Sequence, residues 1–154
     1  MNTLKKRKSG KKGFTLMEML IVVAIIAILV IIAIPTFNSA LAKARAATDL
    51  ANIRSGYAAA QVEAMTEGIK GAGTGKDSVE YYLQKDGTVA ATSGNDYTCV
   101  GAAKNAGTTD STLVGGVVKA TDINWEKGSK IKYTVTENAK DGTISVKIEA
   151  VAGK

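Results

Sequence analysis

Sixteen consecutive apolar residues, Met19 to Ile34, dominate the start of this chain, and a single carboxylate, Glu18, stands immediately before them. Counted from Phe14, the stretch to Ile34 is 21 residues. As a helix it would extend about 31 Å, the thickness of a bilayer's hydrocarbon core. It is apolar on all sides, so it is built for lipid or for the centre of an assembly. A charge near the end of such a segment costs a few kcal/mol and is usually kept for a function. Glu18 is therefore the first candidate functional residue.

The charge distribution sets the orientation. Lys5, Lys6, Arg7, Lys8, Lys11 and Lys12 precede the apolar segment, and no acidic residue accompanies them. They hold six of the twenty basic residues, and the remaining fourteen match the fourteen acidic ones. The net charge of +6 thus belongs to the N-terminal cluster. A cluster in that place keeps the N-terminus on the cytoplasmic side of a membrane. The rest of the chain has no charge excess to attract phosphates, so no direct nucleic-acid binding is expected.

Pro35 withdraws one backbone donor and crowds the preceding turn, so a kink is expected there rather than a stop. From Asn38 to Gly68 the chain has no Pro and one interior Gly, and it is rich in strong helix formers. Leu50, Ile53, Tyr57, Ala60 and Ala64 step by three or four and share one stripe. Lys43, Arg45, Asn52, Gln61 and Glu67 fall largely off it. The expectation is one helix of about 50 residues, some 75–80 Å long, with an apolar first half and an amphipathic second half.

Gly68, Gly71, Gly73 and Gly75 break that helix into a loop. Val79 to Leu83 reads as a strand turning at Lys85-Asp86-Gly87 into Thr88 to Ala91. A short helix capped by Asp77, with Glu80 three residues on, is the alternative. Ser93 to Gly116 shows no readable pattern. Ile131, Tyr133 and Val135 then alternate with polar residues, as do Ile144, Val146 and Ile148, across an Asn138–Gly142 turn. That is an antiparallel hairpin with one apolar face, and the stripe of the long helix is its natural cover. The expected fold class is α+β, a long N-terminal helix packed on a small antiparallel sheet. Aromatic content of 5% and sixteen glycines predict a modest core and many loops.

Catalytic chemistry finds little material. The chain has no His, and a lone Cys99 can build neither an intramolecular disulfide nor a zinc site. Cys99 is expected as a small buried apolar residue and not as a nucleophile. The glycines from Gly68 to Gly75 do not follow a strand as a phosphate-cradling turn would. No enzyme activity, cofactor or metal is expected.

Gly13-Phe14-Thr15-Leu16-Met17-Glu18, the basic leader, the apolar run and Pro35 together resemble the leader and stalk of a type IV pilin or pseudopilin precursor. The resemblance covers roughly Lys5 to Ala60. It implies that a prepilin peptidase/methyltransferase, an aspartic enzyme of the membrane, cuts between Gly13 and Phe14 and methylates the new amine of Phe14. Gly13 has no side chain to obstruct the cut, and the apolar helix stays with the mature chain. By this resemblance residues 1–13 are a removed leader and 14–35 the transmembrane and filament-core half. Residues 36–154 form the globular head. Glu18 would attract the methylated amine of a neighbouring subunit, since a buried carboxylate is tolerable only with a partner. The implied partners are membrane lipid before assembly, an assembly platform in the cytoplasmic (inner) membrane, and further copies in a helical filament. The implied setting is a cytoplasmic-membrane pool and a surface filament serving adhesion, motility or aggregation. Two features depart from the family pattern. Ala24 and Ala27 stand where many relatives have a Gly that melts the stalk locally, and Cys99 alone cannot close a C-terminal disulfide loop.

Three other readings fit parts of the sequence. Within the family, the chain could be a pseudopilin of type II secretion or of DNA uptake. Outside it, a secretory signal could be cut after Ala40-Leu41-Ala42 to release a soluble domain, or a single-pass anchor could present a binding domain. Glu18, the length of the apolar run and Lys43 just past the cut all oppose the secretory signal.

Overall fold

One helix, α1, runs from Leu16 to Glu67, 52 residues, and carries Pro35 inside it. The computed structural model describes residues 13–69, 78–106, 113–115, 118–138 and 142–153. Helix formers without a breaker carry α1 to Glu67, and Gly68, at φ +72°, supplies the left-handed residue that ends it. The chain divides into two compact units, one through Asn38 and one from Ser39 onward.

In the second unit α1 turns one stripe inward, burying Ala46, Asp49, Leu50, Ile53, Gly56, Tyr57, Ala60 and Ala64. The five apolar residues expected on that stripe are all among them. The stripe covers a four-stranded antiparallel sheet in the order β2-β1-β5-β6, formed by Ser78–Leu83 (β1), Val89–Ala90 (β2), Lys130–Glu137 (β5) and Ile144–Val151 (β6). A separate two-stranded ladder pairs Leu113–Val114 (β3) with Val118–Lys119 (β4), and Ala120–Ile123 (α2) follows it. The architecture is α+β.

Alternation decides the sheet's faces. Ile131, Tyr133 and Val135 of β5 point inward with Tyr81 and Leu83 of β1 and Val146 and Ile148 of β6. Their register sets Tyr133 opposite both Tyr81 and Ile148, so the two tyrosines are cross-strand neighbours on the buried face. The outward residues make a surface ladder in which Lys132 reaches Glu80 at 3.0 Å and Glu149 at 3.4 Å. Exposed pairs of this kind contribute little to stability.

Residues 79–83 are a strand and not the alternative capped helix. β2 is shorter than the Thr88 to Ala91 expected. The turn between the two strands is as read: Gly87 has φ +85°, and Asp86 Oδ1 accepts from the Thr88 N–H at 3.0 Å and its hydroxyl at 2.7 Å. Gly71, Gly73, Gly75 and Asp77 lie outside the described residues, as do the basic leader and the centre of the Asn138–Gly142 turn.

From Ser93 to Ala106 the irregular chain is held both by backbone hydrogen bonds, such as the Tyr97 N–H to the Leu83 carbonyl at 2.7 Å and the Cys99 N–H to the Ser129 carbonyl at 2.9 Å, and by side chains. Asp96, 5% exposed, accepts from Lys130 Nζ at 2.8 Å, Gln84 Nε2 at 3.1 Å, the Gly94 N–H at 3.2 Å and the Ser93 hydroxyl. Burial alone would raise its pKa, but these donors, Lys130 first, hold its carboxyl far below the usual range.

Gly56 sits where α1 packs tightly on the sheet. A Cβ there would lie 2.7 Å from Leu83 Cδ1 and 2.8 Å from Tyr133 Cζ. Gly56→Ala would gain about 1 kcal/mol of helix propensity, while overpacking a tight core costs about 1–3 kcal/mol. We expect overpacking to win, so thermal unfolding of Gly56→Ala should come below wild type. An unchanged or raised midpoint would show that the sheet yields to the extra methyl.

Candidate membrane and assembly site

The N-terminal site is built on the first turn of α1. Residues 13–15 are not helical, and Thr15 caps the turn. Its hydroxyl accepts from the Glu18 N–H at 3.2 Å. Glu18 Oε2 in return accepts from the Thr15 N–H at 2.7 Å and from the Thr15 hydroxyl at 2.9 Å. This is a capping box, in which two donors at the helix start are satisfied reciprocally. The carboxylate also lies at the positive end of the helix dipole. Thr15 was not singled out by the sequence reading, although Thr15-Leu16-Met17-Glu18 carries the capping-box spacing.

Gly13 and Phe14 are exposed and precede the helix, so the peptide bond between them is sterically open. From Gly13 to Ala40 every residue is exposed, including Ile31 at 72% and Phe37 at 67%. The best window of this helix has a mean hydropathy of 3.2, long and apolar enough to cross a membrane. α1 continues through Pro35, and next to it the Thr36 hydroxyl donates to the Ile32 carbonyl at 3.3 Å. The structure thus brings Glu18 onto Thr15, one residue from the Gly13–Phe14 bond. Pro35 stands at the opposite end of the apolar stretch.

The head has its own buried carboxylate, which the sequence reading also missed. Asp49 is fully buried on α1, and its two oxygens take four donors. Oδ1 accepts from the Tyr97 hydroxyl at 2.7 Å and the Val100 N–H at 3.0 Å. Oδ2 accepts from the Gly101 N–H at 2.7 Å and Trp125 Nε1 at 3.2 Å. With each oxygen holding two donors, Asp49 ties α1 to the irregular segment and to Trp125. Its place at the Ala46-Asp49-Ile53 spacing of the inward stripe was the available signal.

Cys99 is 2% exposed and belongs to the core cluster, as expected of a small apolar residue. Burial, with the Asp49 charge adding to it, pushes its thiol up to about 12. Burial pushes the Tyr97 hydroxyl up to about 12 as well, reinforced by its bond to Asp49. Among the described residues no three acidic or thiol side chains gather as a metal would require.

Asp49→Asn would aim an NH2 group at two of the four donors. Stranding two buried donors costs about 2–6 kcal/mol at the usual penalty for each. The variant should unfold at clearly lower temperature and give altered Trp125 fluorescence; an unshifted midpoint would mean that the carboxylate does not hold the loop.

Comparison with known proteins converges on the N-terminal segment. Residues 8–34 match the prokaryotic N-terminal methylation motif. The chain is also similar to the type IV major fimbrial protein FimA and to a fimbrial protein of Dichelobacter nodosus, each 58% identical over 40 residues. Those matches cover 26% of this chain and span about a quarter of the relatives' length, 25%. No solved structure matches the chain. The relatives are named as fimbrial proteins and not as enzymes. The capped, lipid-like helix thus carries the prokaryotic N-terminal methylation motif, and this N-terminal segment is similar to that of type IV fimbrial proteins.

Proposed function

We propose that the chain is the structural subunit of a type IV pilus-like surface filament, assembled from the cytoplasmic membrane through its apolar helix. The observation that carries this reading is the wholly exposed stretch of α1 through Phe37, interrupted by one carboxylate and lying almost entirely within the matched motif. Residues 1–13 serve as a leader, with their basic side chains on the cytoplasmic side. A prepilin peptidase cuts at the exposed Gly13–Phe14 bond, and methylation follows on Phe14. The precursor then waits in lipid, engages an assembly platform and enters a helical filament of identical subunits. Pro35 gives the helix a kink. The filament acts in adhesion, motility or aggregation. The Ala40-Leu41-Ala42 segment lies inside α1, which opposes a secretory cut there.

Glu18 acts in assembly through its two oxygens. Oε2 holds both Thr15 donors, and among the described residues Oε1 accepts no hydrogen bond. In this reading Oε1 accepts from the Phe14 ammonium of a neighbour while the capping box stays closed. Desolvation offsets much of the Coulomb attraction, so the pairing sets register more than affinity.

Processing is read from the N-terminus of membrane-extracted protein, which should be N-methylated Phe14. An N-terminus at Lys43, or surface material that still begins at Met1, would refute the reading. Assembly is read from cells whose only subunit is Glu18→Ala. That variant should insert and be cleaved yet extend few or no fibres, with Glu18→Asp intermediate. Abundant normal fibres under electron microscopy would mean that the carboxylate does not direct assembly.

A further inference from the structure

We propose that the head binds the phosphodiester of an anionic lipid headgroup, in a basic groove close along the chain to where α1 leaves the bilayer. The inference rests on the membrane reading above. The groove, about 190 Å³, is lined by Ala42 and Arg45 of α1, by Val100, Gly101 and Asn105 of the irregular segment, and by Lys127 of the turn before β5. Three separate stretches of chain therefore converge on it with a guanidinium, an ammonium and a carboxamide. No acidic side chain lines it.

Among the described residues neither Arg45 nor Lys127 forms an ion pair, as is also true of Lys43, Arg54, Lys85 and Lys104, and these two share one groove. The carboxylates nearby are Glu126, next to Lys127 in sequence, and Asp49, to which the Val100 and Gly101 N–H groups already donate. Those two amides are consequently engaged, and an anion would be held by Arg45, Lys127 and Asn105. Val100, 44% exposed, adds an apolar side chain at the rim, suited to the glycerol and upper acyl region beside a phosphate.

Distance along the chain favours a lipid over a soluble anion. Arg45 follows Phe37, the last exposed large apolar residue before the buried stripe of α1 begins, by eight positions. Eight residues of chain bridge at most about 28 Å, so the groove stays within reach of the membrane surface whatever the angle between the two units. A lipid phosphate is the anion that the membrane brings within that reach. The groove has no aromatic side chain on which a base could stack, so a nucleic acid fits it poorly.

The test uses the full chain in lipid nanodiscs containing phosphatidylcholine and a phosphatidylglycerol probe with a photoreactive headgroup. Cross-links are mapped by peptide mass spectrometry, which separates labelling of residues 100–105 and 126–130 from labelling of the basic leader. We expect labelling at those two segments in wild type. It should fall about thirtyfold in R45Q/K127Q, each cation near an anionic surface being worth about fivefold. Lys85→Gln, which removes an exposed cation from the β1–β2 turn, should leave it unchanged. Equal labelling in R45Q/K127Q, or an equal fall in Lys85→Gln, would overturn the site. So would loss of labelling on adding inorganic phosphate against chloride of the same ionic strength, since that marks a free-anion site. If the cations only offset Asp49, R45Q/K127Q would lower the unfolding temperature and leave labelling intact. A chain that fails to enter the discs would overturn the membrane reading and this inference together; insertion without labelling would overturn the inference alone.

Discussion

The head depends on a charge that water does not reach. Asp49 has no cation among its bonded partners, and four neutral donors from residues 97, 100, 101 and 125 converge on it instead. Removing a carboxylate from water costs several kcal/mol, and hydrogen bonds to a charged group return about 1.5–3 kcal/mol each. Four of them decide the balance in favour of burial. The consequence reaches beyond α1. The segment from Tyr97 to Ala103 has no ladder of its own, yet it places Cys99 and Ala103 in the core and seats Trp125 beside them. A segment rich in small residues would not bury itself by hydrophobic surface alone, so the carboxylate supplies what its composition lacks.

Periodicity made the regular elements legible and left the irregular ones unread. The stripe from Leu50 to Ala64 and the alternation in β5 and β6 each repeat one rule over several turns or residue pairs, so the apolar face is evident without tertiary information. Asp49 and Gly56 lie on the same stripe but break its chemistry. One is charged and the other has no side chain, and each is explained only by what stands opposite: a set of donors in the first case, Tyr133 and Leu83 in the second. Long-range partners of this sort, 48 to 76 residues away for Asp49, leave no local trace. Thr15 differs, because its partner is three residues away and the Thr-x-x-Glu spacing was open to reading. There the family motif drew attention to Glu18 as an assembly residue and hid its local role as a cap.

In the assembly proposed above, the same residue would join the local and the assembled levels. A helix beginning in an apolar environment has unpaired N–H groups and no water to satisfy them. Glu18 and Thr15 satisfy two of those donors between them, so the carboxylate stabilises the very turn that presents it. Magnitudes set the limit of what it can do. Burying the large side chains between Met19 and Ile34 is worth on the order of 20–40 kcal/mol at about 1.5–3 kcal/mol each, against about 3 kcal/mol for one charge in a bilayer. The apolar stretch therefore fixes that this segment leaves water, with or without Glu18. What a term ten times smaller can still select is the position of one helix against the next, because sliding by a turn leaves apolar burial nearly unchanged but separates a carboxylate from its cation. In the proposed filament, apolar surface would hold such helices together without choosing among registers, and a single charge at one end would supply the choice.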